Sequence, residues 1–285
     1  MPTTTEEPTE VRELYLSLLK ASLTDTIHPH EFARIDARNR GLIRRLEKTG
    51  LAVLKSIVSR KGLDIVRSVP YDPSRRQVGQ DWPVSADTMI GLKRLNQVQA
   101  AIEDIVRNDV PGDLIECGVW RGGSTILMRA VLKTLGDTKR TVWAADSFEG
   151  LPPPDPSQFP ADANDPHHQF RNLMVGLEQV KANFRRYNLL DDRVQFLKGW
   201  FKDTLPTAPV QQLSLLRADG DMYESTYQIF ENLYPKLSVG GYCIVDDYGG
   251  LEGCRKAVDD YRAKFNITEP IQQIDWTGIF WKRER

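Results

Sequence analysis

The chain has 285 residues, of which 40% are hydrophobic and 27% charged, and its formal net charge is -1. That balance offers no basic surface to nucleic acid or an anionic membrane, and no apolar run approaches the roughly 20 residues that span a bilayer. The composition is that of a globular protein with one large domain, or one domain and an appendage.

The start of the chain is polar and acidic, without the basic stretch and apolar core of a signal peptide. Cys117, Cys243 and Cys254 form no disulfide framework and no Cys-x-x-Cys pair. Cys117 and Cys243 fall in predicted buried strands, where cysteine serves as a small hydrophobe. A reduced, cytoplasmic, enzyme-like protein is expected.

Residues 1–10 are expected to be a disordered tail. Val11, Leu14, Tyr15, Leu18 and Leu19 recur at helical spacing and predict a helix over 11–21. The period is helical again from 35 to about 59, with Gly41 and Gly50 dividing it into one helix or two. Arg34, Arg38, Arg40, Arg44 and Arg45 crowd this region. They read either as a lid or partner surface, or as a solvated face beside an apolar seam. Residues 71–84, with prolines, mixed charges and Gly79, read as an irregular connection. Helix returns over 85–108, with Leu92, Leu95, Val98, Ile102 and Ile105 on one stripe. Residues 11–108 thus form an N-terminal helical extension or lid, and 109–285 the main domain.

From Pro111 strands and helices alternate. Strands are predicted at 113–117, 141–145, 194–197, 213–218 and 241–245, with helices at 124–135, 177–188, 224–237 and 251–265. Gly136 closes the first of these helices. Two last strands, at 271–274 and 278–282, are separated only by Asp275-Trp276-Thr277 and read as a hairpin, so the last strand runs antiparallel. The expected fold class is α/β, a doubly wound, seven-stranded, mostly parallel sheet with helices on both faces. Residues 147–176 make a long connection rich in proline and aspartate, with His167 and His168 adjacent. A connection of that length is usually a functional lid; the alternative is a tolerated insertion.

Three motifs carry chemistry. Residues 116–124, Glu-Cys-Gly-Val-Trp-Arg-Gly-Gly-Ser, follow a strand and open a helix. Glycines there admit a ligand close to the backbone, and the helix start offers free N–H groups. Glu116 would repel a pyrophosphate and suits a cationic or amino centre. Asp146 ends the second strand, roughly 20 residues past the last of those glycines, where nucleotide-binding folds hold a ribose. Together the two marks fit S-adenosylmethionine better than NAD; singly, they could be turn punctuation and a cap. Asp219, Asp246 and Asp247 fall at two neighbouring strand ends, with Asp221 just beyond Asp219. Carboxylates at one point repel unless a cation joins them, and oxygen-only ligands favour Mg²⁺, Ca²⁺ or Mn²⁺. Asp221 reads as a ligand or a base, and some of these aspartates could instead cap the following helices.

These stretches, with Asp-Ser-Phe-Glu-Gly-Leu-Pro at 146–152, Asp-Gly-Asp-Met-Tyr-Glu-Ser-Thr at 219–226 and Gly-Gly-Tyr-x-Ile-x-Asp-Asp-Tyr at 240–248, resemble the macrocin O-methyltransferase (TylF-like) family. Residues 15–24 and Thr-Met-Ile-Gly at 88–91 are similar too, so the resemblance covers the chain from about residue 11 to the end. It implies S-adenosylmethionine- and Mg²⁺-dependent methylation of a sugar hydroxyl on a natural product, and a homodimer or higher homo-oligomer. It also implies that Asp219, Asp246 and Asp247 hold the metal, that Asp221 or Asp219 is the base, and that Asp146 binds the cofactor ribose. Met89, Glu116, Gly118, Trp120, Ser124, Ser147, Asp219 and the Gly199-Trp200-Phe201 turn would line the rest of the cofactor pocket. The partner is then a small-molecule glycoside, with no nucleic acid and no membrane. Metal-dependent catechol methyltransferases are similar but use a lysine where this chain has Met222. A hydrolase or hydroxylase on the same sheet, and a non-catalytic scaffold, are the remaining alternatives. Trp82, Trp120, Trp200 and Tyr248 read as stacking platforms for a sugar or as core.

Overall fold

Helix α1 (Glu7–Leu23) opens the described part of the chain in a computed structural model that describes residues 7–27, 32–34, 53–54, 56–63, 65–68, 71–81 and 85–285. Residues 7–10 are therefore helical rather than part of a tail. Pro8 sits in the first turn, where its missing N–H leaves no bond unmade. Leu16, Leu19 and Leu23 enter the core, while Val11, Leu14 and Leu18 stay exposed.

Strand β1 (Phe32–Arg34) pairs antiparallel with β2 (Val66–Ser68). Arg34, grouped with the arginines of the N-terminal helices, therefore lies on a strand just ahead of the helix expected from 35. Of that expected helix, residues 53–54 and 56–59 are helical; Arg38, Arg40, Arg44 and Arg45 lie outside the described residues, as does Trp82. The connection at 71–81 contains a short helix, α2 (Pro73–Gln77). Asp72 caps it by accepting from the Ser74 and Arg75 N–H groups at 2.9 and 3.3 Å. Helix α3 (Leu92–Arg107) is shorter than predicted because Gly91 ends an irregular run over 85–91, and Met89 is therefore not helical.

The main sheet follows the predicted alternation. In chain order come β3 (Asp113–Cys117), α4 (Gly123–Thr134), β4 (Val142–Asp146), α5 (Leu177–Arg186), β5 (Val194–Lys198) and α6 (Phe201–Thr204). Then come β6 (Leu213–Ala218), α7 (Tyr223–Leu233), β7 (Leu237–Val245), α8 (Glu252–Lys264), β8 (Gln272–Gln273) and β9 (Ile279–Lys282). Helix α7 stops short of the predicted 237 because Pro235 cannot continue it, and β7 starts correspondingly early. The spatial order is β5-β4-β3-β6-β7-β9-β8. Strands β3 to β7 are parallel, and β9 is antiparallel to both β7 and β8. The chain winds outward from β3 to β5 and returns at β6 beside β3. Ligands of open α/β sheets bind at that switch point.

The period-two pleat divides the core. Leu114, Ala144, Leu215 and Ile244 face α1, α3, α4 and α5. Ile115, Cys117, Ala145, Leu216, Cys243 and Val245 face α7 and α8. Cys117, Cys243 and Cys254 are free and buried. Among the described residues no helix is long and apolar enough to cross a membrane.

The long connection over 147–176 is built from three 3₁₀ turns, Pro160–Asp162, His167–Gln169 and Arg171–Leu173. Buried Asp162 fastens it, accepting from the N–H groups of Tyr223 and Glu224 at 2.6 and 2.9 Å. A residue of the loop thus caps α7. Asp162→Ala is expected to cost about 1 kcal/mol and to speed amide hydrogen exchange across the connection. Unchanged exchange there would show that the loop is held by other contacts.

Candidate active site

Gly118 lets β3 and β6 meet at the switch point. Its φ is +89°, and a Cβ there would stand 1.9 Å from the Asp219 carbonyl oxygen. Trp120 (φ 47°) and Gly122 (φ 91°) keep the turn left-handed, and α4 starts without a side-chain cap. The Gly123 N–H donates to the Asp87 carbonyl at 2.9 Å, which leaves the Ser124 and Thr125 N–H groups for a ligand's acceptors. Asp146, at the end of β4, ties this turn in place. Its Oδ2 accepts from the Val119 N–H at 2.7 Å and its Oδ1 from the Phe148 N–H at 2.7 Å. Burial raises the Asp146 pKa, and these N–H bonds oppose the rise. The Ser147 hydroxyl is a further donor, 3.4 Å from Oδ1.

Two cavities adjoin at this crevice. The larger, ≈ 570 Å³, is bordered by Asp146, Ser147, Gly199, Trp200, Phe201 and Asp219. The smaller, ≈ 240 Å³, is bordered by Met89, Glu116, Trp120, Ser124, Asp246 and Asp247. Gly118, Asp219 and Asp221 belong to both. Every expected site residue borders one cavity or the other. Trp120 donates to the Asn172 carbonyl at 2.8 Å, whereas the Tyr248 hydroxyl binds Asp259 and borders neither cavity.

Asp219, Asp221 and Asp247 each bring a carboxylate oxygen within 4.8 Å of the others. Burial comes first among the causes that raise all three pKa values, followed by repulsion within the cluster. Asp247 Oδ2 is buried with no hydrogen-bond partner. The helix-cap alternative for Asp221 and Asp247 fails, since α7 is capped by Asp162 and α8 has no side-chain cap.

Asp246, expected to join this cluster, is instead gripped by two arginines. Arg94 Nη1 binds its Oδ2 and Arg217 Nη2 its Oδ1 in short contacts. Arg217 Nη1 also binds Glu116 at 2.7 Å and Asp219 at 2.8 Å, and Arg94 Nε binds Asp275 at 2.8 Å. The pleat explains the arrangement: register pairs Glu116 with Arg217 and Arg217 with Ile244, so Glu116, Arg217, Asp219 and Asp246 share one face. Glu116 thus already has protein partners in Arg217 and Thr125 while it borders the smaller cavity. Burial still pushes Glu116 up to about 7. Sequence reasoning missed Arg217, Arg94 and Asp275.

The buried carboxyls outnumber the two arginines. A carboxyl whose folded pKa is raised stabilises the fold below its unfolded pKa and loses that contribution as pH rises through the folded value. In chelator, the melting temperature is therefore expected to fall as pH rises from about 4.5 through about 7, the window of Glu116. Added Mg²⁺ is expected to raise it more at the upper end than at the lower. A Mg²⁺ shift that is equal at both ends would count against a cation in this cluster.

The family described as "Macrocin-O-methyltransferase (TylF)" matches residues 12–283. The chain is 54% identical over 212 residues to the 8-demethyl-8-(2,3-dimethoxy-alpha-L-rhamnosyl)-tetracenomycin-C 4'-O-methyltransferase of Streptomyces olivaceus, a match covering 74% of this chain and 81% of that relative. It is 51% identical over 220 residues to the demethyldecarbamoylnovobiocin O-methyltransferase of Streptomyces niveus, covering 77% and 84%. The solved structure of the O-methyltransferase NovP superposes with a TM-score of 0.81 at 44% identity, covering 96% of this chain and all of that one. The sheet is that of the class I S-adenosylmethionine-dependent methyltransferases.

Proposed function

Because the chain belongs to the macrocin-O-methyltransferase family, and is therefore an O-methyltransferase, we propose that it methylates a sugar hydroxyl of a glycosylated natural product. The methyl donor is S-adenosylmethionine, and the reaction depends on Mg²⁺. The observation that carries this reading is the cluster of Asp219, Asp221 and Asp247 between two cavities, with one carboxylate oxygen buried and unpartnered.

The cofactor fits the crevice. Gly118, Asp146 and Ser147 border the larger cavity, and the buried Ser124 Oγ, on the border of the smaller, has no partner. The ribose and base belong beside Asp146 and the Gly199-Trp200-Phe201 turn, and the amino acid end beside Glu116 and Ser124. Asp219, Asp246 and Asp247 would hold the cation. Asp246 remains eligible because an oxygen that accepts one arginine N–H keeps another lone pair. When bound, a divalent cation supplies charge that makes an acceptor hydroxyl more acidic.

Asp221 takes the proton. Burial, and after it the neighbouring carboxylates, raise its pKa, which makes it a stronger base than an ordinary carboxylate. Its carboxylate accepts no hydrogen bond from any described residue. The catechol alternative lacks its lysine, since Met222 occupies that position and is fully buried.

Mass spectrometry after incubation with S-adenosylmethionine and Mg²⁺ tests the acceptor class. A panel holding 4-nitrophenyl α-L-rhamnopyranoside, larger glycosides and a simple catechol is expected to show one added methyl on a glycoside and none on the catechol. The reverse pattern would sink the sugar assignment.

A further inference from the structure

His167 stands on the long connection but borders the smaller cavity, together with Asp219, Asp221 and Asp247. Its position is fixed from several sides. The 3₁₀ turn that precedes it is fastened to α7 by Asp162, and the Asp165 N–H donates to the Asp162 carbonyl at 3.0 Å. Asp165 Oδ1 then accepts from the His167 backbone N–H at 2.7 Å and stands 2.9 Å from ring Nδ1. Phe170 meets the ring edge-on, 5.2 Å away with the planes at 75°. The following turn is held by Trp120 through the Asn172 carbonyl.

An ionised carboxylate only accepts, so the Asp165 contact places the ring proton on Nδ1. In the neutral ring Nε2 is then an acceptor, and no described residue donates to it. A carboxylate holding one imidazole nitrogen commonly sets both tautomer and aim of the other. The same segment caps the helix that follows Asp221, so the ring and the base are held in one frame.

We propose that His167, aimed by Asp165, accepts a hydrogen bond from a second hydroxyl of the acceptor and so selects which hydroxyl faces Asp221 and the methyl donor. This role rests on the sugar-acceptor reading above. His167 is here a specificity-determining residue and Asp165 the residue that positions it.

Kinetics on the glycoside methylated best by the wild type tests the role. His167→Ala is expected to raise KM for that acceptor on the order of tenfold, leaving kcat and the affinity for S-adenosylhomocysteine within about twofold. The wild type should prefer the acceptor over its deoxy analogue at the neighbouring hydroxyl, and His167→Ala should lose that preference. Nitrogen NMR of the wild type should show the Nδ1–H tautomer at His167, and Asp165→Asn should abolish it. Unchanged KM and unchanged preference would overturn the proposal, as would an equal effect of His168→Ala, which would implicate the turn and not the ring. A wild type that methylates no glycoside, yet keeps the His167 tautomer, would overturn the acceptor class and this role with it.

Discussion

Asp221→Asn is expected to fold normally, to bind S-adenosylmethionine with unchanged affinity and to lose turnover by about 10²- to 10⁴-fold. The reasons lie in its surroundings. Asp221 has a left-handed backbone (φ 56°), which asparagine tolerates as well as aspartate. Its side chain accepts no hydrogen bond from a described residue, so no native contact breaks. Removing one of several mutually repelling carboxyls should also raise the melting temperature in chelator. The amide cannot take a proton at neutral pH, so the loss should appear in kcat. Wild-type turnover in the variant would remove Asp221 as the base. A large loss of Mg²⁺ affinity, read by titration calorimetry, would make it a ligand instead.

Arg217→Met should produce the largest loss of stability. Methionine is unbranched and adaptable, so packing is largely kept. The guanidinium, however, is the shared partner of Glu116, Asp219 and Asp246. Removing one member of a buried pair costs about 3–5 kcal/mol, because the remaining charge is left uncompensated. Urea unfolding in chelator measures this cost. The double variant Arg217→Met/Glu116→Gln should recover part of it, since the two residues are in contact and their effects couple. A loss below about 1 kcal/mol would mean that these contacts resemble surface ion pairs.

The strands that carry the site were legible because each is a short apolar run that ends in acid. β3 and β6 stand where the pattern predicts them, and so do Gly118, Asp146, Asp219 and Asp247. Arg217 was missed although a signal existed. It is the one charge inside Leu213–Ala218 and lies two residues before Asp219, hence on the same face of the strand. Its partnership with Glu116 follows only from the strand register. Arg94, Asp275 and Asp162 had no local signal. Arg94 reaches Asp246 across 152 positions, and Asp162 caps a helix 61 residues away. Such contacts depend on how elements pack, which periodicity does not encode. The ribbon of β1 and β2 is a further case, a pairing between distant segments for which no strand was predicted.

The central claim is that a divalent cation held at the Asp219, Asp221 and Asp247 cluster, with Asp246 beside it, is required for methyl transfer to a sugar. Turnover of enzyme stripped with EDTA, measured with methyl-labelled S-adenosylmethionine and a glycoside as Mg²⁺ is titrated back, tests it most directly. The account predicts negligible transfer before addition, saturable recovery in the wild type and no recovery in Asp247→Asn. Full transfer by the stripped enzyme would contradict it.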